Sequence, residues 1–247
     1  MEKSEKLGMN LTGAQMSPKD TQAILAYTRE RLPTSQGDGT EIAALRASCI
    51  REEQGSLGTV PVPGTVKGVL KSGAKMLKGE RPQALADKLG ERVSFERSGV
   101  RLYDAMITKY HATNGGVPHV SLEKLMEIRD EEAQHFAMLV EAVQSLGADP
   151  TAETPSADLT GVETQGLLNV ITDPRTTFAQ SLHALLIAEL ADNDGWDMLI
   201  TIAEAEGQKD MAERFRMAYE QEQDHLDHVR RWLMALQMDE VRVGKPS

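Results

Sequence analysis

Two short motifs, Glu132-Ala133-Gln134-His135 and Glu222-Gln223-Asp224-His225, place a carboxylate and an imidazole three residues apart. On a helix a three-residue step turns about 300° and rises about 4.5 Å, so both groups share one face and can close on one ion. Two more acids, Glu96 and Glu189, stand in the middle of otherwise apolar stripes. At heptad-like steps the stripes read Leu89, Val93, Glu96, Val100, Tyr103, Ile107, then Leu125, Ile128, Glu132, His135, Leu139. The other pair reads Leu182, Leu185, Glu189, Asp192, Trp196, Leu199, then Phe215, Ala218, Glu222, His225, Val229, Trp232. A carboxylate on an apolar stripe is costly to bury unless it is paired or bound to a metal. Four of them, each near the middle of a different helix, point to a shared cation site. Four carboxylates would balance two divalent ions, with the imidazoles as neutral ligands. Oxygen and imidazole donors without thiolate suit iron or manganese better than a structural zinc.

The elements that must position these groups follow from periodicity and punctuation. Helix A is expected from about 83 to 111, ending before Asn114-Gly115-Gly116-Val117-Pro118. Helix B should run from an N-cap at Ser121 to Leu146, with Gly147 as its C-terminal cap. Residues 148–173, rich in Asp, Thr, Pro and Gly, read as a long crossover with one short turn at 163–171. Helix C is expected after Asp173-Pro174 to about Glu206, and helix D from about Lys209 to Gln237, leaving a polar tail at 239–247. Short A–B and C–D connections around a long B–C crossover describe two antiparallel hairpins. Before them, residues 1–80 form a helical extension and connector: helices at about 17–32 and 40–53, an extended link at 55–64, and an amphipathic stretch at 65–78. Lys67, Lys71, Lys75 and Lys78 of that stretch read as a solvated face. No ligand candidate falls in residues 1–80, which leaves 81–238 as the four-helix domain.

The sequence resembles the ferritin-like di-iron carboxylate proteins, and their rubrerythrin-type branch most closely. That group takes one glutamate from each of two helices and Glu-x-x-His from each of the other two. The order here is the same: Glu96, Glu132/His135, Glu189, Glu222/His225. The gaps of 36 residues from Glu96 to Glu132 and 33 from Glu189 to Glu222 each suit a helical hairpin with ligands meeting at mid-height. The resemblance covers about 83–237 and implies an all-α, ferritin-like four-helix bundle. It also implies two iron ions, with manganese or a mixed manganese–iron pair as the variant, reacting with dioxygen or peroxide. Two further residues take roles from it. Asp192 matches a second carboxylate that can change its coordination, and Tyr103 matches a tyrosine beside the site. With no four-cysteine rubredoxin-like module, electrons would come from a separate donor. A homo-oligomer is compatible with the class; an iron-sequestering alternative would need a hollow cage, and a metal-free helical scaffold is the remaining rival.

Composition narrows the rest. A net charge of −11 in 247 residues argues against nucleic-acid binding and attracts cations. A single cysteine, Cys49, excludes a disulfide framework and suits a reducing cytoplasm. No secretory signal or 18-residue apolar run is visible. Trp196 and Trp232 read as core. His228 reads as the partner of Asp224, and Glu131 as solvent-facing. His111, His119 and His183 read as non-ligands.

Overall fold

The computed structural model describes residues 18–31, 38–53, 55–65, 68–69, 82–113 and 116–243, and among them the only regular elements are helices, with no strand. The chain divides into two units, Met1–Gly55 and Ser56–Ser247. In the first, α1 (Pro18–Arg31) and α2 (Thr40–Glu52) are amphipathic only weakly, and α2 buries none of its residues. The unpatterned start at 1–16, most of the lysine-bearing stretch at 65–78 and the last residues of the tail lie outside the described residues.

In the second unit, α3 (Pro82–Ala112), α4 (Leu122–Ser145), α6 (Phe178–Ala205) and α7 (Lys209–Val243) pack in a ring, each against two of the others. The α4–α7 pair approaches least closely, so long side chains must fill the space between them. Ser121 caps α4 as expected, its hydroxyl accepting from the Lys124 N–H at 3.1 Å. Gly147 adopts φ 82° just beyond the end of α4, a conformation costly to residues with a Cβ. Its Cα-side space is also filled, since an added Cβ would lie 2.6 Å from Gly68 Cα and 2.8 Å from the Thr65 hydroxyl.

Three expectations need correction. The segment between α4 and α6 is not a crossover with one short turn but holds an 18-residue helix, α5 (Pro155–Thr172), lying over the seam of α3 and α6. Thr154 caps it and Pro155 opens it, while Ala157, Thr160, Thr164 and Ile171 form its buried face. Small and hydroxylated residues along that face, with Gly161 and Gly166, hid the helical period. Helix α6 starts at Phe178 rather than after Pro174, because Thr177 and Gln180 form a reciprocal capping box there. Asp173 instead turns back to accept from the Arg175 backbone and guanidinium. Helix α7 continues to Val243, so much of the expected tail is helical.

The interior has two apolar clusters. One contains Leu102, Met106, Leu125, Ile128, Leu182, Leu185, Val229 and Trp232. The other contains Leu85, Leu89, Leu139, Trp196, Leu199 and Phe215. Fully burying side chains of this size contributes about 1.5–3 kcal/mol each. On every helix of the ring the mid-helix acids fall between the residues of these two clusters. A single polar layer is thus sealed on both sides by hydrocarbon. Among the described residues no helix is long and apolar enough to cross a membrane.

Candidate metal centre

The polar layer gathers Arg92, Glu96, Glu132, His135, Glu189, Asp192, Glu222 and His225, none more than 3% exposed. Three overlapping sets bring ligand atoms within 4.8 Å of one another: Glu96, His135 and Glu222; Glu132, Glu222 and His225; and Glu96, Glu132, Asp192 and Glu222. Glu222 belongs to all three. Backbone space is reserved for the layer: a Cβ on Gly99 of α3 would come 2.8 Å from the Glu132 carboxyl carbon.

The two imidazoles face inward through Nδ1. His135 Nδ1 lies 2.6 Å from Glu222 Oε1 and 3.7 Å from Glu96 Oε2. His225 Nδ1 lies 3.0 Å from Glu222 Oε2 and 3.7 Å from Glu132 Oε1. The outward nitrogens are held reciprocally. His225 Nε2 is 2.9 Å from Glu131 Oε2, and His135 Nε2 is 2.9 Å from Gln221 Oε1. The Gln221 amide in turn donates to Glu131 Oε1 at 2.9 Å. With Nε2–H donating outward, each ring can give up its Nδ1 proton and turn that lone pair to a cation in the layer.

Glu131 therefore supports His225 and does not face solvent as the sequence suggested. It and Gln221 each directly precede the glutamate of a Glu-x-x-His motif and reach across to the histidine of the other motif. That shared offset was the available signal.

The structure places the remaining predicted residues as follows. Glu189 is buried in the layer but joins none of the three sets; its Oε1 accepts a hydrogen bond from the Tyr103 hydroxyl. Tyr103 is thus tied to the acid of α6. Asn193, one turn on from Glu189, donates to the backbone carbonyls of both Glu189 and Glu222 at 3.0 Å, pinning α6 to α7 at this height. Asp192 is engaged by Arg92, which also pairs with Glu96. Trp196 and Trp232 are core. His228 lies 3.6 Å from Asp224, and His111, His119 and His183 are exposed.

Burial and crowding move the acids in opposite directions. Burial pushes Glu132 well above the carboxylate range, and the Glu222 charge adds to it. Burial and Glu222 likewise raise Glu189 to about 8. Glu222 is the exception: burial would raise it, but the His135 and His225 imidazoles beside its two oxygens pull it down to about 2. His135 is lowered by burial yet carried up to about 11 by Glu222 and Glu96. His225 rises in the same way, against burial, through Glu131, Glu132 and Glu222. Burial also raises the Tyr103 hydroxyl well above its ordinary value, with the Glu189 charge next in weight. Protons thus supply positive charge to a layer of acids.

They do not satisfy it. Glu96 Oε2, Glu132 Oε2 and Glu189 Oε2 are buried without a hydrogen-bond partner, and His135 Nδ1 and Glu222 Oε1, though close, are not aligned as a hydrogen bond. Each such orphan costs about 1–3 kcal/mol, more when charged. No family model, curated protein or solved structure matches this chain. The chemistry of the layer rests on its own geometry. Unpartnered carboxylate oxygens and inward imidazole nitrogens, drawn from four helices, form a donor set that fits hard or borderline divalent cations.

Proposed function

We propose that this chain is a ferritin-like four-helix protein that holds two metal ions, iron foremost and manganese next, and reacts with dioxygen or peroxide. One observation carries the reading: a buried layer of four glutamates and two histidines, in which each glutamate leaves one oxygen without a hydrogen-bond partner, sealed between two apolar clusters. Glu96, Glu132, His135, Glu189, Glu222 and His225 would supply the ligands. When bound, iron ions here would supply redox equivalents and Lewis-acid polarisation toward an oxidant.

The chain's own groups set the conditions for that chemistry. Glu131 and Gln221 fix the histidine tautomers and ring orientations. Tyr103 holds a proton on the Glu189 side of the layer, where its hydroxyl donates to Oε1. The flanking leucines, isoleucines and tryptophans exclude bulk water, which strengthens each electrostatic contact within. With one cysteine in these 247 residues, the electrons would come from a donor outside them.

A metal-free helical scaffold is the second reading. It is favoured by Arg92, which gives the layer a permanent positive charge. Oxidation separates the two. Ferrous-loaded protein exposed to oxygen or peroxide is expected to develop near-ultraviolet charge-transfer absorption in proportion to its iron content. Spectral silence through many equivalents of both oxidants would remove the redox reading.

A further inference from the structure

Arg92 is a charged side chain 2% exposed, one turn before Glu96 on α3, and it has a socket built for it. Its Nη2 contacts both Glu96 Oε1 and Asp192 Oδ1. Its guanidinium carbon lies 4.6 Å from the Phe95 ring centre and 5.4 Å from that of Trp196, both within cation–π range. The fourth wall is Gly195 of α6: a Cβ there would overlap Nη1 and lie 3.1 Å from the guanidinium carbon. Absence of a side chain at Gly195 is therefore what admits the arginine. A fixed cation has been accommodated at one end of the acidic layer and not the other. The Glu132–Glu222–His225 end has the His225 imidazole, itself a candidate ligand, in place of a fixed cation.

We infer that Arg92 is a resident counter-ion that makes the two ends of the layer unequal toward metal, so that ions load in sequence. This deepens the two-metal reading above and rests on it. The Glu132–Glu222–His225 set fills first. At the other end the guanidinium occupies one oxygen of Glu96 and one of Asp192, and its charge repels an incoming divalent ion in a low-dielectric interior. A guanidinium cannot relieve that repulsion by losing its proton. Either it is pulled back toward Asp192 alone, or the second ion binds weakly. Asp192 is on this account the holder of Arg92 and not a free ligand.

The test is anaerobic calorimetric titration of the full-length chain with ferrous ion, which reads both binding constants without any turnover. Wild-type protein should show two events whose dissociation constants differ by about tenfold or more. In Arg92→Gln the weaker event should tighten by about tenfold or more while the tighter one changes by less than about threefold. Arg92→Lys, which keeps a charge, should preserve much of the separation. Gly195→Ala provides an independent arm, since it crowds the guanidinium out without removing any charged group, and should also narrow the gap. A purely structural arginine would alter the melting temperature and leave the ratio of the two constants unchanged. Two bound ions with a ratio untouched by Arg92→Gln and Gly195→Ala would overturn this inference and leave the metal centre standing. Equal wild-type constants would overturn it as well. Failure of wild type and variants alike to bind two ions would remove both.

Discussion

Glu222→Gln is expected to strip the chain of most of its metal, weakening ferrous binding by more than about 100-fold and taking the bound count well below one ion per chain. The magnitude follows from position. Glu222 belongs to every set of converging ligand atoms, and its two oxygens face His135 and His225 separately. Losing even an outer partner of a metal ligand costs about 10–100-fold, and losing the shared carboxylate should cost more. An amide keeps the shape but cannot carry the charge. His228→Ala is the matched control on the same helix, because His228 sits at the edge beside Asp224; it should retain the full load. Metal analysis of both purified variants, alongside a circular-dichroism check of helicity, decides the point. A Glu222→Gln protein that stays helical and binds metal as tightly as wild type would remove this residue from the ligand set.

The metal-free fold should weaken as pH rises from about 4.5 to 8. Glu189, ordinarily near 4.5, stands at about 8 in the folded chain, and Glu132 moves the same way. Between those values the folded state holds protons that the unfolded chain has released, so it loses ground as they become scarce. The stabilising contribution is complete below 4.5 and is lost as pH climbs through about 8. His135 has the same sign in a later window, from 6.5 to about 11. Glu222 has the opposite sign: its contribution is present above 4.5 and lost as pH falls through about 2. Each group changes stability by at most about 1.4 kcal/mol per pH unit inside its window. Bound metal reverses the trend, because ligands must give up their protons to bind and do so more readily at high pH. Thermal melts across pH 5 to 8 should show the apo midpoint falling and the increment from added metal growing. Glu189→Gln should flatten the apo slope. A flat apo profile with a constant metal increment would contradict a buried, proton-holding layer.

The four glutamates and two histidines were legible because each interrupts an apolar stripe, and period alone puts a stripe inside. The same logic concealed Arg92. One turn before Glu96, it reads as an ordinary exposed i, i+4 ion pair, and only the glycine opposite it on another helix reveals the socket. Sequence cannot supply that pairing, since residues 92 and 195 meet only through the packing of α3 on α6. Glu131 was misread for a related reason. Helical angle puts it off the stripe, but α4 and α7 stand far enough apart for an off-stripe acid to reach His225. Helix α5 escapes the period because its buried face is Ala157, Thr160, Thr164 and Ile171, mostly small or hydroxylated, while Gly161 and Gly166 lower its helix propensity.

The number of metal ions bound tests a two-metal centre most directly. An anaerobic ferrous titration of the full-length protein, followed to saturation with the optical spectrum recorded, should end at two ions per chain. A single ion per chain, or none with the helices intact, would contradict a two-metal centre in this layer.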